Sequence, residues 1–80
     1  MKTYTIRPLQ WDKESKQTWV AQGIAYTYLI TAEHEKVRLY CTKAESRAEL
    51  YDYSDYYEAM VGAEQHHQRT ATRFLKEVIQ

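Results

Sequence analysis

A single long amphipathic stretch, Asp55 to Val78, limits what this chain can fold into, because everything else must supply a surface for it to lie on. Apolar or amphipathic residues recur at Tyr56, Ala59, Met60, Ala63, His67, Ala71, Phe74, Leu75 and Val78. This three-and-four spacing draws a stripe down one face of an α-helix. Asp55 can accept from the N–H groups of the first turn, and Glu58, three residues on, can reach back to complete a capping box. Acids then stand at the positive end of the helix dipole, with Arg69, Arg73 and Lys76 toward the negative end. Gly62 costs about 1 kcal/mol relative to alanine inside a helix. It reads as a point where helix and sheet approach closely.

The remaining residues read as strands. Met1 to Trp11 is a first strand in which Tyr4 and Ile6 alternate in one parity and Leu9 and Trp11 in the other. Pro8 sits at the change, which predicts a bulge and an edge position, since proline cannot donate to a ladder. Asp12 to Gln17 is a polar loop, Thr18 to Gln22 a second strand and Ala25 to Thr31 a third. A two-residue Gln22–Gly23 turn sets Ala21 opposite Ile24 and Trp19 opposite Tyr26. A turn around Glu33 and His34 then sets Ile30 opposite Val37, Tyr28 opposite Leu39 and Tyr26 opposite Cys41. Both hairpins keep one face apolar and leave Val20, Thr27, Leu29, Thr31, Lys36, Arg38 and Tyr40 on the other. Residues 43–54 admit two readings: a short helix from Lys43 to Tyr51, slightly favoured, or a short strand of Leu50, Tyr51 and Tyr53 beside the fourth.

The expected architecture is α+β: a four-stranded antiparallel β-meander with one face packed against a long C-terminal α-helix. It forms a single domain over 1–80, with the sheet at about 3–42, a variable element at 43–54 and the helix at about 55–78. Trp11, Trp19, Tyr28 and Phe74 are the expected scaffold. Eighty residues allow one thin core, and one proline and two glycines leave no room for linkers. Cys41 is the only cysteine, so no intrachain disulfide forms and a reducing cytoplasm is the expected compartment. No signal-like segment and no run long enough to cross a bilayer is present.

Formal charge is zero, which removes a general electrostatic drive toward nucleic acid or anionic membrane. The charge is nevertheless uneven. Residues 1–44 carry seven bases and four acids, whereas 45–64 carry six acids and one base, Arg47. Eight tyrosines exceed what a small core uses, and tyrosine is a good contact residue.

With these elements placed, the chain resembles a group of small phage and prophage proteins, mostly of unknown function. Their pattern appears here as Leu9-x-Trp11, Trp19-x-Ala21, Tyr28-x-Ile30 and Asp55-x-x-Glu58-Ala59 with Gly62-Ala63. This chain is richer than the group in tyrosine and acid at 43–57. The resemblance implies an accessory protein of a mobile element, one that binds and blocks a host machine as anti-CRISPR proteins do.

Two surfaces compete for that role. Glu49, Asp52, Tyr53, Asp55, Tyr57 and Glu58 bring carboxylates and phenols together near the helix start, a pattern able to occupy a basic groove in place of phosphates and bases. The plainer reading is that the acids only complement the helix N-terminus. Lys36, Arg38 and Tyr40 alternate on the open sheet face, the basic-plus-aromatic arrangement that binds single-stranded nucleic acid. There the plainer reading is a solvated strand whose long stems cover apolar neighbours. Self-association through the open sheet or an edge strand is compatible with either.

Metal and enzyme chemistry are not expected. His66 and His67 are adjacent and so point about 100° apart on a helix, unlike an i, i+4 chelating pair. The predicted arrangement has His66 solvated, His67 half-buried on the stripe and Cys41 a small core residue. A Cys41–His67 nucleophile pair lacks an accompanying oxyanion-hole loop. No cofactor is implied.

Overall fold

The computed structural model describes residues 5–79. Five strands and one helix follow in chain order: β1 (Asp12–Lys13), β2 (Thr18–Gln22), β3 (Thr27–Glu33), β4 (Lys36–Thr42), β5 (Glu49–Tyr53) and α1 (Tyr56–Ile79). The strands form one antiparallel sheet in the order β1-β2-β3-β4-β5, a meander in which every neighbour in sequence is a neighbour in space. The α+β architecture is as expected. The sheet has five strands where four were predicted.

The extra strand comes from the segment with two readings. Glu49–Tyr53 is a strand, pairing Val37 with Tyr53, Leu39 with Tyr51 and Cys41 with Glu49. The favoured short helix over 43–51 does not form. Helix propensity there loses to a register that lets β5 cover the otherwise open edge of β4.

The first strand is also displaced. Residues 5–11 have no regular secondary structure, and pairing with β2 is confined to Asp12 and Lys13, where a polar loop was expected. Helix side chains occupy the polar groups a ladder would have used. Leu9 N–H donates to Glu64 Oε1 (2.8 Å), His67 Nε2 bonds Arg7 O (2.8 Å) and Gln68 Nε2 donates to Ile6 O (3.3 Å). This segment is a strap along α1, and no strand exists in it for Pro8 to bulge. The beginning of the predicted strand, residues 1–4, lies outside the described residues.

Both hairpin registers differ from expectation by even steps. Trp19 pairs with Ile30, not Tyr26, and Tyr28 pairs with Cys41, not Leu39. The first turn is a longer loop, Gly23 to Tyr26, closed by Gly23 N–H to Tyr26 O at 2.8 Å. The second is His34–Glu35, with φ of 47° and 66°. Two left-handed residues in a two-residue loop match the twist of the flanking strands. An even slip moves partners without turning any side chain to the other face, so the predicted inward set survives.

That inward set makes the core. Tyr28, Ile30, Val37, Leu39 and Cys41 are buried against Ala59 and Ala63 of α1, and Ala71 is buried further along the helix. Large residues come from the sheet and small ones from the helix, so the two layers approach closely. Trp11 and Trp19 pack partly buried at the margin. Phe74 does not join them: it is 40% exposed, because its position on α1 lies beyond the buried stripe.

Asp55 caps α1 as predicted, accepting from Glu58 N–H at 2.8 Å. Glu58 Oε2 accepts from Ser54 N–H (3.4 Å), one residue before the capping residue. Gly62 is the predicted close approach, and its neighbour is the Tyr53 phenol of β5, whose Cζ would lie 2.6 Å from an added Cβ.

Candidate functional site

The acid-and-tyrosine block is dispersed by the strand that runs through it. Alternation along β5 sends Glu49, Tyr51 and Tyr53 toward the helix and Leu50 and Asp52 to the open face. Of the six predicted contact residues, Asp55 is committed to capping and Tyr53 packs over Gly62. Glu49 faces the helix and accepts from Tyr51 OH at 2.6 Å. Tyr57 and Glu58 remain outward, and Tyr57 is 76% exposed, the most exposed large apolar side chain among the described residues. Beside them Tyr53, Val61, Gly62 and Gln65 complete a shallow depression of about 340 Å³.

The competing basic surface is neutralised by the same strand. Arg38 Nε donates to Asp52 Oδ1 at 2.9 Å, and Lys36 Nζ lies 3.4 Å from Asp52 Oδ2. Glu33 adds a longer approach to Arg38 (4.0 Å) and accepts from Tyr40 OH at 2.6 Å. Hydrogen bonding from Arg38 holds the Asp52 carboxyl below its ordinary range, and the same pairing raises Arg38. Lys36, Arg38 and Tyr40, predicted as nucleic-acid contacts, and Asp52, predicted as a protein contact, therefore form one network on the open face. Their charges cancel before any partner arrives.

A buried polar chain lies on the other side of the sheet. Tyr28 OH stands 2.8 Å from His66 Nδ1, and His66 Nε2 stands 3.2 Å from Glu49 Oε1. Glu49 is held below the ordinary carboxylate range, chiefly by Tyr51 and also by His66 and Tyr26, against an opposing desolvation. An ionised Glu49 accepts from Nε2–H, which leaves Nδ1 to accept the Tyr28 phenol proton. Burial pushes Tyr28 up to about 12, so it keeps that proton. The Tyr26 ring meets the His66 ring edge-on at 4.7 Å between centroids.

His66 is thus 5% exposed and central, where a solvated side chain was predicted. The signal was available: His66 falls seven residues after Ala59 and three after Ala63, on the same stripe. His67 is buried rather than half-buried. Its Nε2 donates to Arg7 O, so Nδ1 is left without a partner among the described residues, closed over by Gly23.

This constellation does not present a nucleophile. Cys41 is fully buried, and desolvation pushes its thiol up to about 12, far from a reactive thiolate. Tyr28, whose phenol is joined to His66, is equally buried. Among the described residues no three metal-ligating side chains converge, and no helix is long and apolar enough to cross a membrane. No family model, curated protein or solved structure matches this chain.

Proposed function

We propose that this protein is a small non-enzymatic binding protein of mobile-element origin, acting in the host cytoplasm by occupying a basic groove on a host defence protein. A CRISPR-Cas effector is the most concrete partner of that kind, and it follows from the resemblance to phage accessory proteins. The observation that carries the reading is Tyr57, a large phenol held 76% exposed on the first turn of a rigid helix. An aromatic anchor on a fixed element loses little entropy on binding.

Charge supports the same surface. Between Arg47 and Arg69 the chain has five acids and no lysine or arginine, and Asp55 and Glu58 flank Tyr57. Complementary charge of that sign steers association with a basic partner. The contact set is narrower than the sequence suggested: Tyr57, Glu58 and Val61 with the edge of Tyr53, without Asp52. Nucleic-acid binding through Lys36, Arg38 and Tyr40 is disfavoured because both cations already face Asp52. The burial of Cys41 and Tyr28 supports a non-enzymatic role.

Capture of host lysate on tagged protein, with and without nuclease, tests this beside Tyr57→Ala, Glu58→Lys. A host protein retained after nuclease and lost in the double variant is the expected result. Material that disappears with nuclease and ignores the variant overturns it.

A further inference from the structure

A second pocket, at the opposite end of α1 from Tyr57, is built for a different ligand. It has a volume of about 250 Å³ and is walled by Tyr26 from the β2–β3 loop, Lys43 after β4, and Thr70, Arg73, Phe74 and Glu77 from α1. The segment after β4 contributes one cation and α1 the other. Neither Lys43 nor Arg73 is in an ion pair among the described residues, in contrast to Lys36 and Arg38.

The walls are held in place. Lys43 O accepts from Ser46 N–H at 3.1 Å in a turn containing left-handed Glu45 (φ 63°), which fixes the Lys43 backbone. The Lys43 ammonium lies 5.9 Å from the Tyr26 ring centroid, so its stem is directed over that ring. Tyr26 in turn rests edge-on against buried His66. Thr70 has already committed its hydroxyl proton to His66 O at 2.8 Å. The free donors are therefore the two cations, both lining one small cavity. Two like charges placed so are relieved by an anion between them.

We infer that this pocket binds a small phosphate monoester, the phosphate lying between Lys43 and Arg73 and an apolar or aromatic body resting against Phe74. The cavity is larger than a bare oxyanion needs, and Phe74, 40% exposed on its wall, has no part in the core. Arg73 offers a planar fork and Lys43 a point charge, a combination suited to phosphate oxygens. Glu77 lines the same cavity, and its like charge opposes an anion there. This site is independent of the Tyr57 surface.

The test is an amide chemical-shift titration of the full chain with phenyl phosphate, with inorganic phosphate and phenol as comparators. Saturable shifts at Tyr26, Lys43, Thr70 and Arg73 are expected, with phenyl phosphate tighter than phosphate and phenol inert. Removing one charge-assisted contact by Lys43→Gln or Arg73→Gln weakens binding by roughly tenfold. Glu77→Gln tightens it by about two- to fivefold through loss of a like charge. Tyr57→Ala leaves it unchanged. Affinity rises as pH passes about 6, where the monoester gains its second charge. Absence of localised shifts, equal affinity in both cation variants and wild type, or an equal response to phenol would overturn the inference.

Discussion

The two faces of the sheet use polar residues in opposite ways. Under α1, Tyr28, His66 and Glu49 form a mostly buried chain in which each group has a partner, amid Ile30, Leu39 and Cys41. On the open face, Lys36, Arg38, Asp52 and Glu33 form an ion network in water. A buried donor or acceptor that loses its partner is costly, whereas exposed ion pairs are screened and weak. The covered face thus holds the fold. The open-face charges keep one another occupied, which leaves Lys36, Arg38 and Asp52 little free charge to offer a partner.

The largest expected difference between the faces is in packing. Leu39→Ala, on the covered face, should lower unfolding free energy by about 2–5 kcal/mol in urea titration. Leu50→Ala, on the open face at 52% exposure, should change it by no more than about 0.5 kcal/mol. Comparable losses would mean that the open face is packed as well. Gly23→Ala comes next: an added Cβ would stand 2.8 Å from Tyr26 O and 3.0 Å from His67 Nδ1, and overpacking of this kind costs about 1–3 kcal/mol. A smaller effect of opposite sign is expected at the β3–β4 turn. His34→Asn, Glu35→Gly replaces two left-handed residues with the pair such turns prefer and should raise stability by about 1 kcal/mol.

The pH profile sharpens the contrast at small amplitude. Glu49 and Asp52 have lowered folded-state pKa values, so what they contribute is present above about pH 4 and is lost as pH falls through those lowered values. Glu49→Gln should flatten the acid limb, whereas Asp52→Asn, whose exposed pairing is screened by solvent, should leave it nearly unchanged and indistinguishable from wild type in added salt. Tyr28 and Cys41 act in the other direction: with folded values near 12, their contribution is present below their ordinary values and is lost as pH rises toward 12. Tyr40, raised by its hydrogen bond to Glu33, adds a contribution of the same sign from the open face, so the alkaline limb is shared by both faces.

These contrasts also explain what the sequence could and could not say. Helix α1, its Asp55 cap, Gly62 and the inward set Tyr28, Ile30, Val37, Leu39 and Cys41 were legible because each rests on a local rule or a period. The register was not, since slips of two and four residues preserve the same alternation and hydrophobic pattern alone cannot tell them apart. The strap at 5–11 depends on bonds from Glu64, His67 and Gln68, more than fifty residues away in the chain. The division of the acidic block between two faces was hidden for a similar reason. Asp52 belongs to the acidic block in sequence and to Arg38 in space, and only the pairing of β5 with β4 reveals the cancellation.

The central claim is that polar pairing beneath α1 stabilises the fold while polar pairing on the open face does not. Two double-mutant cycles measured together by urea unfolding test it most directly: Tyr28→Phe with His66→Leu, and Arg38→Ala with Asp52→Ala. The account predicts a coupling of about 1 kcal/mol for the first pair, insensitive to salt. It predicts a coupling for the second pair within the scatter of the measurement and absent in high salt. A larger coupling for Arg38 and Asp52 than for Tyr28 and His66 would contradict it.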